Sequence, residues 1–198
     1  MSEEPHFLTN LWYVAGLSAE LKAGTMRREM LCGEPVLLGR GRDGRAFALR
    51  DICPHRAAPL SAGVIREGTV ECPYHGWRFR PDGVCAEIPS LLADQDIDIS
   101  RIRVRTYPLL EQDGLIWIYF AADTKTDATP DLSPPKIPIR SGDGQAIPRF
   151  LEAQVFPCDV DHAVVGLMDP AHGPFVHRTW WWRTGSSIHA KSKPHAPS

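Results

Sequence analysis

The chain sets out Cys53-Pro54-His55 and then, after sixteen residues, Cys72-Pro73-Tyr74-His75-Gly76-Trp77. Any fold for this sequence must bring those two short segments together, because two thiols and two imidazoles make a metal-binding donor set. They suit a tetrahedral zinc ion or an iron–sulfur centre. The first arm, Cys-x-His, is one residue tighter than a usual zinc-knuckle arm. Each cysteine is followed by proline, which fixes φ and stiffens the segment. Gly76 lets backbone approach a bound group closely. A lone Cys-x-His carries no information, whereas the doubled pattern with its trailing Gly-Trp does.

The remaining cysteines fit this picture. There are five in 198 residues, an odd number, and the opening MSEEPHFLTN lacks the basic-then-apolar order of an export signal. A disulfide framework is therefore not expected. The net charge of −2 argues against a nucleic-acid binder. The longest aromatic-aliphatic run, residues 115–122, is too short to span a bilayer. A soluble, cytoplasmic protein is expected, with neither membrane nor nucleic acid as partner.

Hydrophobic patterning points to a mostly β chain. Leu11-Trp12-Tyr13-Val14 is an apolar-aromatic patch, followed by a short helical stretch from Ser18 to Lys22 with Ser18 as its cap. Residues 35–39 and 45–49 flank Gly41-Arg42-Asp43-Gly44, a hairpin signal. Residues 77–80 alternate into the turn Pro81-Asp82-Gly83, residues 102–107 alternate cleanly, and residues 115–121 read as a strand buried on both faces. Short strands with Gly and Pro turns predict a small antiparallel β sandwich. Residues 123–148, rich in Pro, Asp, Ser, Thr and Gly, read as a linker or long surface excursion. The predicted organisation is a metal-binding β domain over 1–122, the linker over 123–148, and the incomplete start of an α+β domain over 149–198. In that last part residues 149–156 suit a strand, and Asp159 or Asp161 could cap a helix through Met168 that Pro170 ends.

The doubled motif resembles the Rieske [2Fe–2S] signature. The resemblance implies that Cys53 and Cys72 hold the inner iron and His55 and His75 the outer one, two histidines replacing two cysteines. Respiratory Rieske proteins carry two further cysteines that bridge the loops. Here those places hold Ala58 and Tyr74, so the resemblance is to the ferredoxin and oxygenase branch, with a potential toward the low end of the range, roughly −150 mV. Arg56 is a candidate to pair with a partner's carboxylate, and Trp77 to shield the cluster.

A second constellation is Asp169-Pro170-Ala171-His172-Gly173-Pro174-Phe175-Val176-His177. On an unbroken helix imidazoles five apart lie about 140° from one another, but Gly173-Pro174 breaks the helix and frees both rings to turn to one point. After a Rieske motif, this pattern resembles the catalytic domain of Rieske non-haem iron ring-hydroxylating oxygenases, of the vanillate-demethylase-like and phenylpropionate-dioxygenase-like kind. In that family two histidines and one carboxylate hold iron and leave positions open for O₂. The resemblance makes His172 and His177 ligands of a mononuclear Fe(II), and Asp169 a bridging carboxylate that relays the electron from a neighbouring subunit's cluster. It implies an oxygenase component fed by an NAD(P)H-dependent reductase or ferredoxin, acting with O₂ on an aromatic or similarly apolar molecule, and assembled as a homotrimer. No Asp or Glu follows Asp169, so two of the three iron ligands are present and the catalytic domain is expected to be incomplete. Trp180, Trp181 and Trp182 could line an apolar pocket or pack an interface. Two readings compete: a Rieske ferredoxin-like electron carrier, favoured by the missing carboxylate, and a structural zinc module.

Overall fold

A computed structural model describes residues 7–92, 94–122, 133–136 and 155–169. The chain divides into two compact units, residues 1–153 and 154–198. Among the described residues, unit one has ten strands: β1 Leu11–Leu17, β2 Met26–Leu31, β3 Glu34–Arg40, β4 Ala46–Arg50, β5 Val64–Arg66, β6 Thr69–Glu71, β7 Arg78–Phe79, β8 Cys85–Glu87, β9 Leu109–Gln112 and β10 Leu115–Phe120. They form three sheets, ordered β1-β10-β9, β2-β3-β4 and β5-β6-β7-β8, with antiparallel pairing throughout.

In the middle sheet β3 and most of β4 are buried on both faces, because their apolar residues do not alternate with polar ones. Val36, Leu37 and Leu38 of β3 are all 0% exposed. Leu37, with Phe47 and Leu49 of β4, faces a core shared with Val70, Phe79, Cys53 and Cys72. Val36, Leu38 and Ala48 face the opposite way, into a second core with Ala15, Ile116, Ile118 and Phe120. The antiparallel β expectation therefore holds as three small sheets in layers, the middle one serving two cores. The strand expected over 115–121 is β10, and the expected hairpin is β3-β4, closed at Gly41 to Gly44, where Gly44 has φ +87°.

Local expectations differ in two places. The helix expected over Ser18 to Lys22 is a single 3-10 turn, Ser18–Glu20, entered from extended Leu17 without a side-chain cap. Leu21, 3% exposed, turns into the second core and pulls the chain out of helical geometry. The strand expected over 102–107 keeps its alternation, Val104 being buried and Arg103 exposed, but pairs only through the isolated bridges Leu49↔Thr106 and Val84↔Arg103. It crosses the edges of two sheets and joins neither over its length.

Of the proline-rich stretch only residues 133–136 are described; Pro134 is buried, and Gln112 Nε2 donates to the Pro135 carbonyl at 3.2 Å. In unit two, α1 spans Val160–Met168. Asp159 occupies the cap position without a side-chain hydrogen bond, and Asp161 lies in the first turn, where a negative charge suits the helix dipole. Asp169 follows in extended conformation, its N–H donating to the Val165 carbonyl at 3.1 Å. The strand expected over 149–156 falls mostly outside the described residues. Among the described residues, no helix is long and apolar enough to cross a membrane.

Candidate metal centre

Both motif segments fold on one backbone frame. In the first, Cys53 N–H donates to the Ala58 carbonyl at 2.9 Å and Ala57 N–H donates to the Cys53 carbonyl at 2.9 Å. In the second, Cys72 N–H donates to the Trp77 carbonyl at 2.8 Å and Gly76 N–H donates to the Cys72 carbonyl at 3.0 Å. The fifth residue of each frame has positive φ, +55° at Ala57 and +71° at Gly76. Glycine takes that conformation freely, whereas alanine is strained there by about 1–2 kcal/mol. Within the matched frames the histidine stands third in the first loop and fourth in the second. The unequal spacing in the sequence is thus an offset on one loop shape, not a difference in loop length.

Each loop is closed at its base by a polar pair. Asp51, 2% exposed, accepts from Ser61 N–H at 2.7 Å and from Ser61 Oγ at 2.6 Å, tying the first loop to the turn Leu60–Ala62. Glu71 and Arg78 face each other across β6 and β7, and Arg78 Nε donates to Glu71 Oε2 at 3.0 Å. Arg78 also reaches Glu87 Oε2 at 2.7 Å. These clasps went unread in the sequence. Glu71 and Arg78, the last residue before the second motif and the first after it, carried a usable signal as opposite charges flanking a hairpin loop. Asp51 and Ser61 carried none.

The loops present their donors in two pairs at two depths. The Cys53 and Cys72 thiols are buried and in hydrogen-bond contact with each other. Burial above all pushes the Cys53 thiol up to about 11, while Cys53 Sγ accepts from the backbone N–H groups of His55 and Arg56, which favours the thiolate. His55 and His75 are exposed, with ring centroids 4.5 Å apart. Desolvation, then the neighbouring His75 and Arg56, lower the His55 pKa, so the ring tends toward the neutral form that binds metal. Trp77 stacks on His55, with centroids 4.5 Å apart and planes within 4°. All five cysteines are free thiols.

Among the described residues, no three His, Cys, Asp or Glu side chains gather as one metal site. A buried thiol pair with an exposed imidazole pair offers sulfur to hold one iron and nitrogen to hold another. Residues His172 and His177 lie outside the described residues, as do Trp180, Trp181 and Trp182.

The Rieske [2Fe-2S] domain family matches residues 11–108. Chlorophyllide a oxygenase of Arabidopsis thaliana is 35% identical over 175 residues, 87% of this chain and 30% of that protein. The oxygenase component of dicamba O-demethylase from Stenotrophomonas maltophilia is 36% identical over 177 residues, 87% of this chain and 48% of that protein. A crystal structure of dicamba monooxygenase with non-heme iron and dicamba aligns with TM-score 0.55 and 38% identity over 66% of this chain and 37% of its own. The reduced complex between oxygenase and ferredoxin in carbazole 1,9a-dioxygenase aligns with TM-score 0.52 and 33% identity over 64% of this chain and 30% of its own. The chain spans less than half the length of each of these relatives. Residues 11–108 carry a Rieske [2Fe-2S] domain, and the relatives and structural neighbours of the chain are subunits of Rieske non-haem iron oxygenases.

Proposed function

We propose that the chain is part of the oxygenase component of a Rieske-type oxygenase, one that hydroxylates or demethylates an aromatic or similarly apolar small molecule. The observation that carries this reading is the pairing of buried thiols beneath exposed imidazoles on matched loops, followed in the same chain by Asp169, His172 and His177. Cys53, His55, Cys72 and His75 would hold the [2Fe–2S] cluster, and His172 and His177 a mononuclear Fe(II). When bound, the cluster supplies one-electron storage and the mononuclear iron supplies O₂ activation.

The chain's own groups prepare the cluster site. Backbone N–H groups of His55 and Arg56 aimed at Cys53 Sγ favour the thiolate and, as hydrogen bonds to a ligand sulfur, tune the potential. The exposed imidazoles set the nitrogen side of the site toward solvent, where an electron donor can approach. A reductase or ferredoxin would dock there, with exposed Arg56 pairing with its carboxylates; the oxygenase–ferredoxin complex of the carbazole system supports a partner of this kind. Asp169, three residues before His172, would accept from an imidazole N–H and relay the electron between subunits of a homotrimer. A cytoplasmic location fits these partners.

The carrier-only reading is less well supported. The Rieske match ends at residue 108, whereas likeness to the dicamba enzyme runs over 177 residues. Iron, acid-labile sulfide and electron paramagnetic resonance of the purified chain test the cluster, and an Fe(II) titration tests the second site. The expected result is a coloured protein that binds one further iron per cluster, lost on His172→Ala. Colourless protein containing zinc would overturn the cluster, and a loaded cluster without extra iron would favour the carrier. His75→Cys and Cys72→Ser should each lower cluster content; unchanged content in both would refute the ligand set.

A further inference from the structure

We propose that Trp77 is a positioning residue, a cross-brace that fixes the ring plane of His55 and ties the two ligand loops together. The inference rests on the [2Fe–2S] reading above and adds a residue that the ligand motif does not include. Trp77 belongs to the second loop by its backbone, since its carbonyl accepts the Cys72 N–H at 2.8 Å. It belongs to the first loop by its side chain, which lies flat on His55 with planes 4° apart. Its body packs against the core that contains Cys53 and Cys72. One residue therefore meets the peptide of one ligand through its backbone and, through its indole, the ring of another and the core that holds both thiols.

The other contacts between the loops, those of Cys53 with Cys72 and of His55 with His75, do not set the plane of the His55 ring. No disulfide joins the loops. Ala58, the residue of the first loop that matches Trp77 in the repeated frame, has no ring with which to return the contact. His55 is exposed, and among the described residues no side-chain hydrogen bond holds its ring; His75 meets it at an open 57°. A surface imidazole held only by its own rotamer would turn about its last bond, because that torsion is broad. Parallel stacking on a half-buried indole selects one ring plane. In a loaded centre the ring plane sets how the imidazole overlaps with the metal it binds, so a spread of ring planes would appear as a spread in the magnetic anisotropy of the reduced cluster.

The test compares Trp77→Leu, which keeps apolar bulk without a planar face, with Trp77→Phe, which restores a smaller face. In the cluster-free chain, the His55 ring protons should resonate upfield in wild type, lose that shift in Trp77→Leu and regain part of it in Trp77→Phe. In the loaded chain, Trp77→Leu should broaden the resonance of the reduced cluster and speed cluster loss several-fold, with Trp77→Phe close to wild type. A Trp77→Leu protein with a lower melting temperature but wild-type His55 shifts, resonance and cluster lifetime would show that Trp77 only fills the core, and would overturn the brace. A wild-type chain that takes up no cluster would overturn the [2Fe–2S] reading instead; the ring-proton shifts would still decide whether the stack holds His55.

Discussion

Glu34 shows how one side chain can serve several at a layer boundary. Its carboxylate accepts from Arg105 Nη1 at 2.8 Å and from the Tyr107 hydroxyl at 2.6 Å, and the Arg105 guanidinium lies 4.7 Å from the centre of the Tyr107 ring. Burial first, and then the Glu34 charge, push the Tyr107 pKa far above its ordinary value of 10.0. The fold thus favours the neutral phenol. Its contribution is complete below pH 10 and is lost as pH rises from there toward the folded-state value. Thermal unfolding followed across alkaline pH should show this loss in wild type and a flatter profile in Tyr107→Phe, which should also cost about 1 kcal/mol at neutral pH. Legibility at this scale was uneven. Cys53, His55, Cys72 and His75 were readable because ligand chemistry dictates both residue type and spacing. Asp51, Ser61 and Glu34 were not, because their partners are set by how distant strands meet. The contact between Trp77 and His55 was hidden for the same reason, although Trp77 itself stood out beside the motif.

Among the elements, β3 carries the largest structural duty. Leu37 and Leu38 are both 0% exposed and differ by one position, yet they enter different cores. Leu37 shares its core with the two ligand cysteines, and Leu38 shares its own with β1 and β10. Leu37→Ala and Leu38→Ala should each cost about 2–5 kcal/mol in denaturant unfolding, as core truncations do. Only Leu37→Ala should also shorten the cluster's lifetime; equal lifetimes in the two variants would mean that the cores are not separate. The strands β3 and β4 were legible from the turn signal between them, and β10 from its unbroken apolar run. The edge strand β2, Met-Arg-Arg-Glu-Met-Leu, was not, since charged residues dominate it and its pairing with β3 rests on a hairpin through Cys32 and Gly33, both at positive φ. The three-residue strands β5 and β6 are too short for a periodic signal.

At the scale of the molecule, a group that binds the folded chain but not the unfolded one adds stability by mass action, about 2.7 kcal/mol at a hundredfold excess over its dissociation constant. Loading the cluster should therefore raise the melting temperature of the whole β domain, and chelation should return it to the cluster-free value. How large the rise is depends on how much order the site has beforehand. Here the two loops are already closed by Asp51–Ser61 and Glu71–Arg78, and their cysteines are already hydrogen-bonded at the backbone on both sides. The ordering entropy that loose ligand loops would lose on meeting iron is lost earlier, when the chain folds. Cluster delivery then becomes a question of access rather than of folding. A donor scaffold would meet the histidines first and the thiols last, and the chain would receive its cargo as a rigid socket, with far-ultraviolet circular dichroism unchanged from before transfer to after.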